Sequence, residues 1–182
     1  MDRPHIGIGG RMQAGKTTCA EYLASRHGYL RCALADPIKD VARAEFGWDG
    51  RKDARGRRLL QELGTAGRNY DPDLWLRRFD QRCAAAGPQP VVVDDLRLRR
   101  EVEHLRSRGF VTLRVVRPAG PGPGVDPALH AHETETELEA VPFDLVIVND
   151  GTVADLLRKL EAALAPWLGG AAASAHARGP AD

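Results

Sequence analysis

The amino-acid sequence predicts an α/β fold: a three-layer α/β/α sandwich whose five-stranded parallel sheet is covered by helices on both faces. Three observations lead there. Short apolar runs alternate along the chain with longer stretches of helical periodicity, the pattern of a parallel sheet with helical crossovers. Val91, Val92 and Val93 form an uninterrupted apolar run behind Gly87, Pro88 and Pro90, as a strand buried on both faces requires. The first apolar run, Ile6 to Gly9, leads through a glycine-rich turn directly into a helical pattern.

Taken in order, a strand is expected at Ile6 to Gly9. A helix follows over Thr17 to His27, with Cys19, Ala20, Leu23 and Ala24 on one face. Tyr29 to Leu34 reads as a weaker strand. Asp36 and Pro37 pair a cap with a first-turn proline, opening a helix that runs to about Phe46. Gly47 to Gly56 is polar and reads as a loop. Arg57 to Ala66 and Pro72 to Ala86 are two further helices, with Gly64 to Arg68 as their junction. After the valine strand, Leu98 to Arg108 is helical and stops at Gly109, a residue type favoured just past a helix end. Val111 to Val116 is a strand and Pro118 to Pro127 a proline- and glycine-rich loop. His132 to Glu139 reads as a short helix, Leu145 to Val148 as the last strand and Val153 to Leu164 as the last helix. Residues 1–168 are expected to form one domain, and the small, low-complexity residues 169–182 a disordered tail.

Bulk properties set limits on partners. A chain of 182 residues with 43% hydrophobic and 28% charged residues suits one soluble domain, and a net charge of +1 gives no basic field for nucleic acid. No apolar stretch is long enough to span a bilayer, and no signal peptide is expected. Cys19, Cys32 and Cys83 show neither a disulfide framework nor zinc spacing, which suits reduced thiols in the cytoplasm. The basic run Arg51, Lys52, Arg55, Arg57 and Arg58 reads as a solvated loop that draws anionic substrate inward. A monomer or a homodimer is compatible with all of this.

Gly10-Arg11-Met12-Gln13-Ala14-Gly15-Lys16-Thr17 matches G-x-x-x-x-G-K-[ST] between a strand and a helix, the phosphate loop of nucleoside triphosphatases. Glycines allow the backbone to wrap phosphate oxygens with its N–H groups, and the helix start adds a positive dipole end. Lys16 is expected on the β- and γ-phosphates of ATP, the Thr17 hydroxyl on Mg²⁺, and Thr18 beside them. A GTPase would carry an Asn-Lys-x-Asp motif after a late strand, where this chain reads Val148-Asn149-Asp150-Gly151.

Further stretches, in order, resemble the deoxynucleoside monophosphate kinases of bacteriophages and bacteria and, more distantly, the animal type of phosphomevalonate kinase. They are Ala35-Asp36-Pro37-Ile38-Lys39, Leu60 to Arg68 (LQELGTAGR), Asp73-Leu74-Trp75, Val93 to Arg97 (VDDLR) with Glu101, Arg114 to Pro118 (RVVRP), His132 to Leu138 (HETETEL) and Val148 to Thr152 (VNDGT). The likeness covers about Ile6 to Leu164. The chain departs from the family pattern at Glu133, where a serine is common, at Arg99 and Arg100, where Pro-Asn is common, and in a Gly64–Arg68 segment about one residue shorter.

The resemblance implies a kinase with a lid over about 118–140 that acts on a small-molecule nucleotide. Asp36 and Lys39 are then expected near the acceptor. Arg68 could fork onto its monophosphate, Trp75 could stack on its base, and Glu133 would reach it from the lid. Asp95 is expected to orient the acceptor or hold Mg²⁺ through water, and Arg97 to neutralise the transferring phosphoryl group. Asp94 is the alternative to Asp95, one of the two being a helix cap. Arg117, at the strand end that leads into the lid, is expected over the donor phosphates, and Asn149 and Gly151 beside the donor adenine, although Asp150 or Thr152 could equally cap the last helix. Two other readings stay open: an acceptor that is another phosphorylated small molecule, and a non-catalytic nucleotide sensor. A metal cluster of His130, His132, Glu133 and Glu135 lacks standard zinc spacing.

Overall fold

A computed structural model describes residues 3–118 and 137–168. Its strands are β1 (Ile6–Gly9), β2 (Leu30–Cys32), β3 (Val91–Leu96), β4 (Val111–Val116) and β5 (Leu145–Val148), and its helices α1 (Lys16–His27), α2 (Asp36–Phe46), α3 (Ala54–Tyr70), α4 (Leu74–Ala85), α5 (Arg99–Ser107) and α6 (Val153–Leu168). The sheet order is β2-β3-β1-β4-β5 and every neighbouring pair is parallel. Residues 119–136 of the expected lid (about 118–140), Glu133 included, most of the expected 132–139 helix and the expected tail lie outside the described residues; Glu137–Ala140 forms a 3-10 turn.

The central strands are buried on both faces, so two apolar layers hold the sheet, while the β5 edge leaves Val146 and Val148 exposed. On one side Ile6, Ile8, Val92, Leu113, Val115 and Ile147 meet Cys19 and Leu23 of α1 and Leu156, Leu160 and Leu164 of α6. On the other side Val91, Val93 and Leu96 meet Phe79 of α4 and Val102 and Leu105 of α5. All five strands point the same way. The segments leaving them (10–15, 33–36, 97–98, 117–118 and 149–152) therefore gather on one edge, where ligands bind in such sheets. No helix among the described residues is long and apolar enough to cross a membrane.

Four local expectations need correction. Residues 64–68 are no junction: α3 runs unbroken from Ala54 to Tyr70, its start moved back by Asp53, whose carboxylate accepts the Gly56 N–H at 2.8 Å. Its internal glycines serve packing. A Cβ on Gly67 would lie 2.5 Å from the Trp75 ring, so glycine lets α4 press its indole against α3. Asp36 is not the cap of α2. The cap position is Ala35, and the Asp36 carboxylate turns back to the Ala33 N–H at 2.9 Å. Asp94 caps nothing: the Glu101 carboxylate takes the amides at the start of α5, while Asp94 pairs with Arg31 at 3.1 Å. Finally, α6 extends to Leu168, past Pro166, because Leu164 and Leu168 continue its buried stripe.

Candidate active site

The edge carries two cavities. The first is a groove of about 280 Å³ lined by Gln13, Gly15, Lys16, Thr17, Thr18, Arg117, Asn149, Val153 and Leu156. Its shape comes from backbone. Gly10 sits at φ +138°, and a Cβ there would stand 2.2 Å from the Val115 carbonyl oxygen. Gly15, at φ +109°, would meet Leu156 and the Asn149 amide at 2.8 and 3.0 Å. Gln13, between them, also takes a left-handed φ of 61°. A turn of this form directs successive N–H groups toward one point, an anion nest at the start of α1. The Lys16 ammonium bridges the mouth of the loop, donating to the Gly10 and Arg11 carbonyls at 2.6 and 2.8 Å.

Neighbouring strand ends brace this loop. Asn149, after β5, donates from Nδ2 to the Ala14 carbonyl at 2.9 Å, and Arg117, after β4, reaches the Gln13 carbonyl at 3.4 Å. Asn149 was expected near a nucleobase and Arg117 over the phosphates; their visible work is to hold the loop. Gly151 does not line the groove. It packs under Asp155, whose carboxylate accepts from the Thr152 N–H and hydroxyl at 3.1 and 2.8 Å and so makes Thr152 the cap of α6.

The second cavity, about 160 Å³, is walled by Leu34, Ala35, Ile38, Arg68, Pro72, Trp75, Leu76, Asp95, Arg97, Leu98, Arg100 and Glu101. Four separate segments meet here, from the end of β2 into α2, the last turn of α3, the start of α4, and the end of β3 into α5. Since β3 lies between β2 and β1, this pocket opens beside the phosphate loop, about one strand spacing away. Trp75 forms an apolar wall and is fixed by its Nε1–H, which donates to the Gly64 carbonyl at 3.0 Å. Asp95 accepts the Leu34 and Ala35 amides at 2.9 and 3.1 Å, tying β3 to the turn after β2. Burial raises its pKa above the ordinary carboxylate range, although those two amides pull the other way. Burial likewise pushes Glu101 up to about 7.

Three arginines surround these carboxyls. Arg100 is committed to Asp73 at 2.6 Å, whereas Arg97 makes no ion pair among the described residues and Arg68 touches the Thr65 hydroxyl at 3.4 Å. Arg68, Trp75, Asp95 and Arg97 are thus brought together as four members of one pocket. Asp36 and Lys39 do not line it. They bond each other at 2.7 Å; burial opposes the charge on Asp36, but Lys39 and the Ala33 amide hold its carboxyl below the usual range. Sequence reasoning named Glu101 within the resemblance but gave it no role, and it missed the apolar wall of Leu34, Ile38 and Leu76. An acidic residue in the first turn of a helix was a physical signal for what Glu101 does.

The chain matches the family model described as deoxynucleotide monophosphate kinase over residues 48–160. A protein of Acanthamoeba polyphaga mimivirus bearing that name is 26% identical over 188 residues, covering 85% of this chain and 93% of that protein. The deoxynucleotide monophosphate kinase of Enterobacteria phage T4 is 32% identical over 110 residues, covering 58% of this chain and only 43% of the phage protein. Among solved structures, a Thermus thermophilus protein superimposes with a TM-score of 0.56 at 23% identity, covering 91% of this chain and 98% of that one. Shikimate kinase from Acinetobacter baumannii gives 0.52 at 19% identity, covering 91% and 96%. At such identities the two structures speak for the fold alone.

Proposed function

The chain belongs to the deoxynucleotide monophosphate kinase family, and from that premise we propose that it transfers the γ-phosphoryl group of ATP to the 5′-phosphate of a deoxynucleoside monophosphate, giving ADP and the diphosphate. The observation that carries this reading is the pairing of a backbone-built anion nest with a second, arginine-lined pocket on the adjacent strand ends. A protein that only sensed a triphosphate would need the first and have no use for the second.

The residues divide the work as phosphoryl transfer requires, by positioning and charge compensation. The loop amides from Gly10 to Thr17 and the Lys16 ammonium bind the donor phosphates. Arg97 and Arg68 meet the acceptor phosphate and the negative charge that spreads over the transferring group. Asp95, itself fixed by two amides, orients the acceptor, and Trp75 lies flat against its base.

Mg²⁺ fits this arrangement as an ion delivered with the polyphosphate. The Thr17 hydroxyl lines the groove at the start of α1, and a magnesium ion keeps most of its ligands as water and phosphate oxygens. Thr17 would hold it directly and Asp95 through water; the ion would neutralise donor charge. The free cysteines agree with a cytoplasmic site of action.

A panel of deoxy- and ribonucleoside monophosphates, incubated with ATP and Mg²⁺ beside a Lys16→Ala control, tests the reading. Diphosphate is expected from at least one deoxynucleotide and none from the control. Transfer only to another phosphorylated small molecule would keep the kinase and replace the acceptor. Tight ATP binding with no transfer to anything would leave a sensor.

A further inference from the structure

Glu101 stands at the floor of the acceptor pocket, in the first turn of α5. Its Oε2 accepts the Arg97 N–H at 2.7 Å and the Leu98 N–H at 3.0 Å. An N-terminal turn leaves several amides without helical partners, and a carboxylate three residues on is one half of a capping box. The other half is missing here, since the cap position is Leu98, whose side chain carries no oxygen. Apart from the Glu101 and Val102 N–H groups, which donate to the Leu98 carbonyl at 3.1 and 3.3 Å, the amides of the turn from β3 to α5 are held by one oxygen of the Glu101 carboxyl.

That turn carries Arg97. Its guanidinium lines the pocket and makes no ion pair among the described residues; the Glu101 carboxyl acts on it through charge but not through a direct side-chain bond. An arginine side chain has several rotatable bonds whose freedom must be lost before it can aim. How well it meets a phosphate depends on how firmly its backbone is placed, and a displacement of about 1 Å at a reacting centre can cost on the order of a hundredfold in rate.

We propose that Glu101 is a positioning residue for phosphoryl transfer: by clamping the Arg97 and Leu98 amides with a single oxygen, it fixes the turn that aims Arg97 into the acceptor pocket. This rests on the acceptor-pocket reading given above. The clamp needs an acceptor oxygen and not a charge, because both amides converge on Oε2. Glutamine at 101 can reproduce it, alanine cannot, and aspartate falls short by one methylene.

The test is a double-mutant cycle with the acceptor nucleotide, joined to amide exchange measured without substrate. Glu101→Ala should lower kcat about 10- to 100-fold while leaving the KM for ATP within about twofold. Glu101→Gln should recover turnover to within about fivefold of the parent, and Glu101→Asp should resemble alanine. In an Arg97→Ala background, Glu101→Ala should add less than about twofold, because the residue it serves is gone. Exchange at the Arg97 and Leu98 amides should quicken in Glu101→Ala and stay slow in Glu101→Gln.

Equal damage from glutamine and alanine would overturn the clamp in favour of a chemical role for the carboxylate. Additive losses with Arg97→Ala, or an ATP KM rising in step, would reduce Glu101 to general structure. Should the alanine variant fail to fold, the glutamine–aspartate contrast decides alone. A parent enzyme that phosphorylates no monophosphate would end the proposed function and the positioning role with it. The exchange measurement would still say whether the clamp exists.

Discussion

The donor groove and the acceptor pocket lie on neighbouring strand ends, yet they are made of different material. The groove is made by one contiguous loop whose shape is set by backbone dihedrals at Gly10, Gln13 and Gly15. The pocket is made by side chains from four segments between Leu34 and Glu101 that are brought together only by folding. Among the described residues no carboxylate lines the groove, whereas two line the pocket. A polyphosphate presents the same oxygens whatever nucleoside it carries, so amides in fixed geometry are enough to bind it. An acceptor must be told from its analogues, and that takes shape, an aromatic wall and charges of both signs.

The sharpest way to break this comparison is Gly10→Ala. The substitution would place a methyl group 2.2 Å from the Val115 carbonyl oxygen at φ +138°, where neither backbone can yield. Loss of the nest should cut turnover about a thousandfold or more and cost roughly 2–4 kcal/mol of stability. ATP titration and urea unfolding would read the two effects. If the variant still bound ATP normally, the groove would not be backbone-built.

Gly67→Ala should act on the other region alone. Its Cβ would meet the Trp75 ring at 2.5 Å, and that ring is held by its bond to the Gly64 carbonyl. Moving a stiff indole should cost about 1–3 kcal/mol and raise the acceptor KM about tenfold, with the KM for ATP unchanged. Parallel rises in both constants would show that the two cavities share one wall. Arg97→Lys is the finer probe. It keeps the charge and loses the planar fork, so kcat should fall about tenfold while the fold is unaffected.

The same contrast explains what could be read from sequence. The phosphate loop was legible because its chemistry depends on residues contiguous in the chain: the spacing of Gly10, Gly15, Lys16 and Thr17 is the geometry. Strands β1, β4 and β5 were legible to the residue, since their apolar runs are bounded by polar or turn residues. Gly64 and Gly67 misled, because a glycine that admits a neighbouring ring and one that ends a helix look alike until the neighbour is known. Asp94 and Asp95 adjoin in sequence, but in an extended strand they face opposite sides. One meets Arg31 and the other the turn after β2, a distinction that only tertiary pairing makes. Asp36 carried a cap signal of the right residue type and spent it on Ala33 and Lys39 instead.

The smallest effect expected is one that the donor groove cannot show. Burial, partly offset by the Arg97 and Leu98 amides and by the Arg97 charge and reinforced by Asp95, raises Glu101 from 4.5 to about 7. A carboxyl raised on folding favours the folded state when protonated. Its contribution is full below 4.5 and is lost as the pH climbs through about 7. Glu101→Gln removes that titration, so the variant should gain on the parent protein between pH 5 and pH 8.5, by about 1–3 kcal/mol at most. Urea unfolding of both proteins across this range measures the difference, and groups common to both cancel except Asp95, whose ionisation the vacated charge would ease. A difference that stayed flat with pH would mean that Glu101 is already ionised and hydrated in the fold. The pocket floor would then be wet, and the arginines above it would act through water, as phosphate ligands do on an open surface.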